Sequence, residues 1–208
     1  MPLNQLSEAI LRDVSRETIE KLRSLEEMII KWNQIINLVS SRQCHNMWTR
    51  HILDSAQLYY HAPVAHQSWL DIGSGAGFPG VVIAIMAADL NPSAKVTLVE
   101  SDGRKSTFLV AAKTALGLAA NVVCSRAEAL PPQNTPILSA RALASLTHLL
   151  AHADRHLAVG GTAIFPKGKL AQQELNDARK YWHFDTETAQ SLTNEHGQIL
   201  IVRNIKRV

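Results

Sequence analysis

The sequence predicts an α/β protein: a mostly parallel, seven-stranded sheet flanked by helices, with an N-terminal helical extension. Three observations predict it. Short apolar runs alternate with helical segments five times between residues 69 and 180, as in strand–helix crossover units. The first of those runs ends in a glycine-rich turn, WLDIGSGAGFPG at 69–80. The region before residue 64 carries apolar residues at steps of three and four, the period of helices.

Element by element, a helix is expected from Ser15 to Leu38, where Ile19, Leu22, Leu25, Ile29, Trp32 and Ile36 share a face. Ser15 followed by Thr18 makes its start, and Trp32 reads as core. A second helical segment runs from about Ser41 to Tyr60, and Pro63 ends the region. The extension is therefore placed at 1–64, packed on a body at 65–208, the two forming one structural unit. Strands follow at Trp69–Ile72, 95–100, 121–125, 136–140 and 161–167, with helices at 79–88, 104–116, 146–157 and 169–180 between and after them. WHFDTETAQ and QILIVRNI read as two closing strands joined by a turn near Asn194–Gly197.

Composition narrows the class. The chain has 208 residues, 46% hydrophobic and 19% charged, with net charge +3, ordinary for a globular domain. Its mild basicity suits a polyanionic partner and equally suits a plain solvated surface. The two cysteines, Cys44 and Cys124, are far apart and share no ligand spacing with histidine. No metal site or disulfide framework is expected. The N-terminus mixes charge into its apolar residues, and VVIAIMAA is too short to span a bilayer. A cytoplasmic setting with no membrane partner is the expectation.

The glycine loop decides between cofactors. Gly75, Gly77 and Gly80 fit the dinucleotide pattern GxGxxG, with Glu100 positioned for a ribose. A second register, Asp71, Gly73, Gly75, Gly77, places an acid at the strand's end. A pyrophosphate would be repelled by that carboxylate, whereas a sulfonium with a free amino group would be attracted. The chemistry therefore favours S-adenosylmethionine over a nicotinamide dinucleotide. A tight turn holding no ligand accounts for one or two glycines, not for four and two acids.

At the carboxyl edge of the predicted sheet, Arg141 follows the fourth strand, and Arg126 and Lys167 follow two others. Three cations on one rim predict a phosphate-binding surface, which Arg104, Lys105 and Lys169 would extend. His51 and Asp54 lie three apart on one helical face.

Several blocks resemble one family: KWNQIINLVS (31–40), RHILDS (50–55), the glycine loop, ESDGRKSTFL (100–109), SRAE (125–128), SARALASL (139–146) and PKG (166–168). They are similar to the bacterial small-subunit ribosomal RNA guanine-N7 methyltransferases, also called glucose-inhibited division protein B. The resemblance implies a Rossmann-like class I S-adenosylmethionine-dependent fold and methyl transfer to N7 of a single guanine in 16S ribosomal RNA. The alternatives are methylation of another RNA or a small molecule, or a non-catalytic assembly factor that keeps the fold. The partner implied is 16S ribosomal RNA or the small ribosomal subunit, with no DNA, and a monomer is the default.

The resemblance also implies roles. Asp71, Gly73, Gly75 and Gly77 would wall the methionine side, and Phe78 would close over it. Glu100 would hold the ribose. Ala127 and Glu128 would contact adenine. Arg141 would contact the cofactor and, with Arg126 and Lys167, position substrate and phosphate. Guanine N7 offers a lone pair and no proton, so no general base is expected. Arg50, His51 and Asp54 are expected to tie the helical extension to the pocket, with Asn37 bonding in the same junction; a direct RNA contact by Arg50 or His51 is the second reading. One departure stands out: Thr135 and Pro136 replace the family's usual acid before SARA.

Overall fold

The computed structural model describes residues 3–40, 46–63 and 66–208. Cys44, the expected helix start at Ser41, and the boundary at residues 64 and 65 lie outside the described residues.

After α1 (Leu3–Ile10), the long helix α2 (Arg16–Trp32) begins where the sequence places it: Ser15 Oγ accepts the Thr18 amide hydrogen at 3.2 Å. It stops at Trp32, six residues before the expected end. Asn33 causes this, because its side-chain oxygen accepts the amide hydrogens of Leu38 and Val39 at 2.8 and 2.9 Å. Trp32 is half-buried, edge-on to Phe108 at 5.6 Å.

The third helical segment, α3, is irregular. It starts as a π-helical turn, Trp48–Leu53, passes through Asp54–Ala56, and tightens into a 3-10 turn, Gln57–His61. Wide turns of this kind often accompany functional sites.

The body alternates as predicted: β1 (Ser68–Ile72), α4 (Gly80–Leu90), β2 (Lys95–Glu100), α5 (Gly103–Ala115), β3 (Ala120–Cys124) and β4 (Thr135–Ser139). Then come α6 (Leu146–His156), β5 (Leu157–Lys167), α7 (Ala171–Ala178), β6 (Trp182–Gln190) and β7 (Gln198–Arg207). The sheet has seven strands in the order β3-β2-β1-β4-β5-β7-β6. The first five are parallel, while β7 runs antiparallel to both β5 and β6. The strand order reverses between β1 and β4, and ligands in open α/β sheets bind at such a switch point.

Two departures have local causes. β5 begins at Leu157, directly after α6, and Gly160 takes φ +74 within it. Pro136 falls where the β4–β5 register shifts between Thr135 and Ile137, so its missing amide hydrogen leaves no gap in the ladder.

One apolar cluster joins Leu22, Leu25 and Ile29 of α2 to Val82 and Ile85 of α4 and Trp69 of β1. Asp89 ties the same helices by accepting from the Ser15 amide at 2.6 Å and the Thr18 hydroxyl at 2.8 Å. The sheet's other face packs Leu70, Leu138 and Phe165 with Leu149 and Leu150 of α6. The helical extension thus shares its core with the sheet.

Candidate active site

A cavity of about 920 Å³ opens at the carboxyl edge of β1, β2 and β4. Its volume suits a cofactor-sized ligand. Gly73, Gly75, Phe78 and Glu100 form one side, and Arg50, His51, Asp54 and Arg141 another.

The glycine loop is held from behind. Gly73 and Ser74 donate their amide hydrogens to the Val99 carbonyl, 2.8 and 3.0 Å away. Gly73 and Gly75 take φ +68 and +54, conformations that a side chain would strain. A Cβ on Gly73 would also stand 2.7 Å from Leu143 Cδ1. Gly77 (φ +93) turns the chain away into the core and does not line the cavity. Glu100 accepts the Gly75 amide hydrogen on Oε2 and the Asp102 amide hydrogen on Oε1, both at 2.8 Å. It is almost buried yet lines the cavity.

Asp71 stands elsewhere than the sequence suggested. It is fully buried beneath the loop and does not line the cavity. Oδ1 accepts from the Ser139 hydroxyl at 2.6 Å and Oδ2 from the Gly80 amide at 3.1 Å. Ser139 in turn accepts from the Trp69 indole at 2.8 Å. A Cβ on Gly80 would come within 2.9 Å of Asp71 Cβ, so glycine lets helix and acid meet. The acid organises the turn from below.

Arg141 is the hub. Its Nη1 donates to the Arg50 carbonyl at 3.0 Å and to Asp54 Oδ2 at 3.1 Å, and its Nη2 donates to His51 Nδ1 at 2.6 Å. The guanidinium carbon lies 5.0 Å from the centre of the Phe78 ring, and His51 stacks on that ring at 4.9 Å. Asp54 Oδ1 accepts from the Thr193 hydroxyl at 2.6 Å and the Gln57 amide at 3.0 Å. The expected tie between extension and pocket is therefore made by His51, Asp54 and the carbonyl of Arg50. The Arg50 side chain itself has no hydrogen bond or ion pair among the described residues.

The predicted rim of three free cations needs correction. Lys167 donates to Glu174 Oε2 at 2.8 Å and to the Ala144 carbonyl at 3.0 Å, and Arg141 is paired with Asp54. Both are nearly buried, so burial has demanded partners. Arg126 is exposed, 3.9 Å from Glu128, and lines neither this cavity nor its neighbour. Ala127 and Glu128 also lie outside the lining, and the Ala127 carbonyl bonds His156 Nε2 at 3.0 Å. Among the described residues, the cations of the cavity wall without an ion pair are Arg50 and Lys105. Sequence reasoning missed Thr193 and Asn194, which come from the β6–β7 turn, and Ser139 within SARALASL. Among the described residues no cluster of three metal-ligating side chains exists, and no helix is long and apolar enough to cross a membrane.

Two buried groups titrate in opposite senses. Burial pushes the Asp71 carboxyl from 3.8 up to about 6, against bonds from Ser139, Ser74 and Gly80. That stabilising term is present below the unfolded value and lost as pH rises through about 6. Burial, then Arg141, then Arg50, lowers His51 from 6.5 to about 4. Its term is present above the unfolded value and lost as pH falls towards about 4. Over the shared window the two slopes oppose. Asp71→Asn should therefore expose a rise of stability with pH between about 4 and 6 that the wild-type chain lacks. Thermal unfolding across that range checks it, and an unchanged profile would count against the assignment.

A parallel sheet reversing at β1 and β4, with an antiparallel β7 and a glycine loop over a buried acid, defines the Rossmann-like fold of S-adenosylmethionine-dependent methyltransferases. Solved structures share it. One is a SAM-dependent methyltransferase from Aquifex aeolicus, with TM-score 0.58 at 14% identity, covering 76% of this chain and 92% of that one. Another is a methyltransferase from Geobacter sulfurreducens, with TM-score 0.56 at 14% identity, covering 88% of each. The family described as rRNA small subunit methyltransferase G matches residues 18–205, and the chain belongs to it. A relative of that name from Cereibacter sphaeroides is 48% identical over 94% of this chain and 95% of its own. One from Ruegeria pomeroyi is 47% identical over 94% and 96%.

Proposed function

We propose that this chain transfers a methyl group from S-adenosylmethionine to N7 of one guanine in 16S ribosomal RNA. The observation that carries the reading is the cavity in which the Gly73–Gly75 backbone and Glu100 face the Arg141–His51–Asp54 cluster. Family membership supplies the substrate class. The cavity's donors fit the cofactor: Glu100 keeps lone pairs for ribose hydroxyls, and the glycines leave room for the amino-acid part. When bound, the cofactor supplies an electrophilic methyl on sulfur.

The chain's own residues position and exclude water. Arg141 uses three of its five N–H donors inside the protein, which fixes its plane and leaves the others for ligand. His51 is held neutral with Nδ1 occupied, so it is no base, and attack by a guanine lone pair needs none. Catalysis rests on alignment. The exposed Arg50 and the half-buried Lys105 offer charge to RNA phosphates. Asp71 acts by fixing the loop.

Labelled methyl transfer tests this, with unmodified small subunits, naked small-subunit RNA and transfer RNA offered side by side. The expected product is N7-methylguanosine at one site in the small-subunit RNA. No transfer to any acceptor, with S-adenosylhomocysteine still bound, would overturn the enzyme reading in favour of a binding protein.

A further inference from the structure

Beside the main cavity lies a smaller one of about 460 Å³. The two share Asp54, Arg141, Ala142, Leu143 and Asn194 as a common wall. We propose that this second cavity receives the acceptor base, and that Glu174 with Lys167 reads the guanine edge opposite N7. The proposal rests on the guanine-N7 reading above.

A guanine whose N7 faces the shared wall directs its N1–H and N2–H₂ donors towards the far end of the second cavity. The acid lining that cavity away from the wall is Glu174. Its Oε2 already accepts from Lys167 Nζ at 2.8 Å and from the Leu146 amide at 2.7 Å. Oε1 has no partner among the described residues. Asp54 cannot serve instead, because Thr193 and Gln57 occupy one of its oxygens and Arg141 the other. Lys167 has committed two of its three N–H donors, to Glu174 and the Ala144 carbonyl, and keeps one.

A free carboxylate oxygen beside a free ammonium hydrogen complements guanine's N1–H and N2–H₂ next to its O6 acceptor. Adenine carries an acceptor at N1 and a donor at C6, so it would meet both groups with the wrong sign. Sites that hydrogen-bond a substrate in this way reject analogues strongly, because buried polar groups are left unpaired. Glu174 is thereby a specificity-determining residue. Its bond to the Leu146 amide also fixes it to the start of α6.

The test uses small subunits reconstituted with either guanosine or inosine at the acceptor position, inosine lacking the N2 amino group. The wild-type chain should lose about tenfold or more in kcat/KM on inosine. Glu174→Gln should lose about tenfold on guanosine and treat the two bases alike, with S-adenosylhomocysteine affinity unchanged within about twofold. A purely structural role would lower both bases equally and keep the discrimination, which would overturn the proposal. Equal wild-type rates on the two bases would also overturn it, whatever the variant does. No wild-type transfer even to guanosine subunits would overturn the guanine-N7 reading itself, and this proposal with it.

Discussion

Asp54→Ala is expected to lower the free energy of unfolding by about 3–5 kcal/mol, because it strips a nearly buried guanidinium of its counter-ion. The Arg141–Asp54 side chains are 15% and 18% exposed, so solvent screens the pair only weakly. The same change frees the Thr193 hydroxyl and the Gln57 amide, which share Oδ1. Asp54→Asn separates the effects. Asparagine keeps an acceptor for Thr193 and Gln57 but turns a donor towards Arg141, so about half the loss should remain. Methyl transfer should fall about a hundredfold in the alanine variant, since Arg141 and the Asn194 wall shift together. Denaturant unfolding and transfer assays measure both effects. A midpoint indistinguishable from wild type would remove the argument that this pair holds the pocket.

The second large effect is expected on ligand affinity. Glu100 accepts amide hydrogens on both oxygens. Glutamine can satisfy only one of them, and its own NH₂ then opposes either the Gly75 or the Asp102 amide. The glycine loop loses its charged anchor and the ligand loses a ribose acceptor. Each such bond to a charged group is worth about 1.5–3 kcal/mol. Calorimetric titration of Glu100→Gln with S-adenosylhomocysteine should show affinity lower by about a hundredfold. Retained affinity would mean that the ribose is held by other groups.

Much of this was legible in the sequence for physical reasons. The alternation of strand and helix periods, the glycines and Ser15 encode local geometry, and local geometry is what a sequence states most directly. Glu100 and Arg141 were legible because each directly follows or ends a strand at one edge. What stayed hidden depended on partners distant in the chain. Nothing local to Lys167 announces Glu174, nor does anything near Asp71 announce that Ser139 and Gly80 would occupy both its oxygens. The irregular turn at Trp48–Leu53 was equally silent, because His51 and Asp54 sit three apart in any helix-like trace. Arg126 illustrates the converse: its position after a strand is right, yet its side chain stays in solvent beside Glu128.

The bonds between α3 and the β6–β7 turn also set an order of events during synthesis. Thr193 reaches Asp54 across 139 residues, and Gln57 reaches Ser191 across 134. Loop closure over such separations is slow to accumulate, and chains emerge N-terminus first. A nascent chain halted before residue 191 can pair its five parallel strands, but Asp54 and Gln57 still lack the bonds from Thr193 and to Ser191. The wall that Thr193 and Asn194 add to the cavity is thus completed only when the final hairpin has formed.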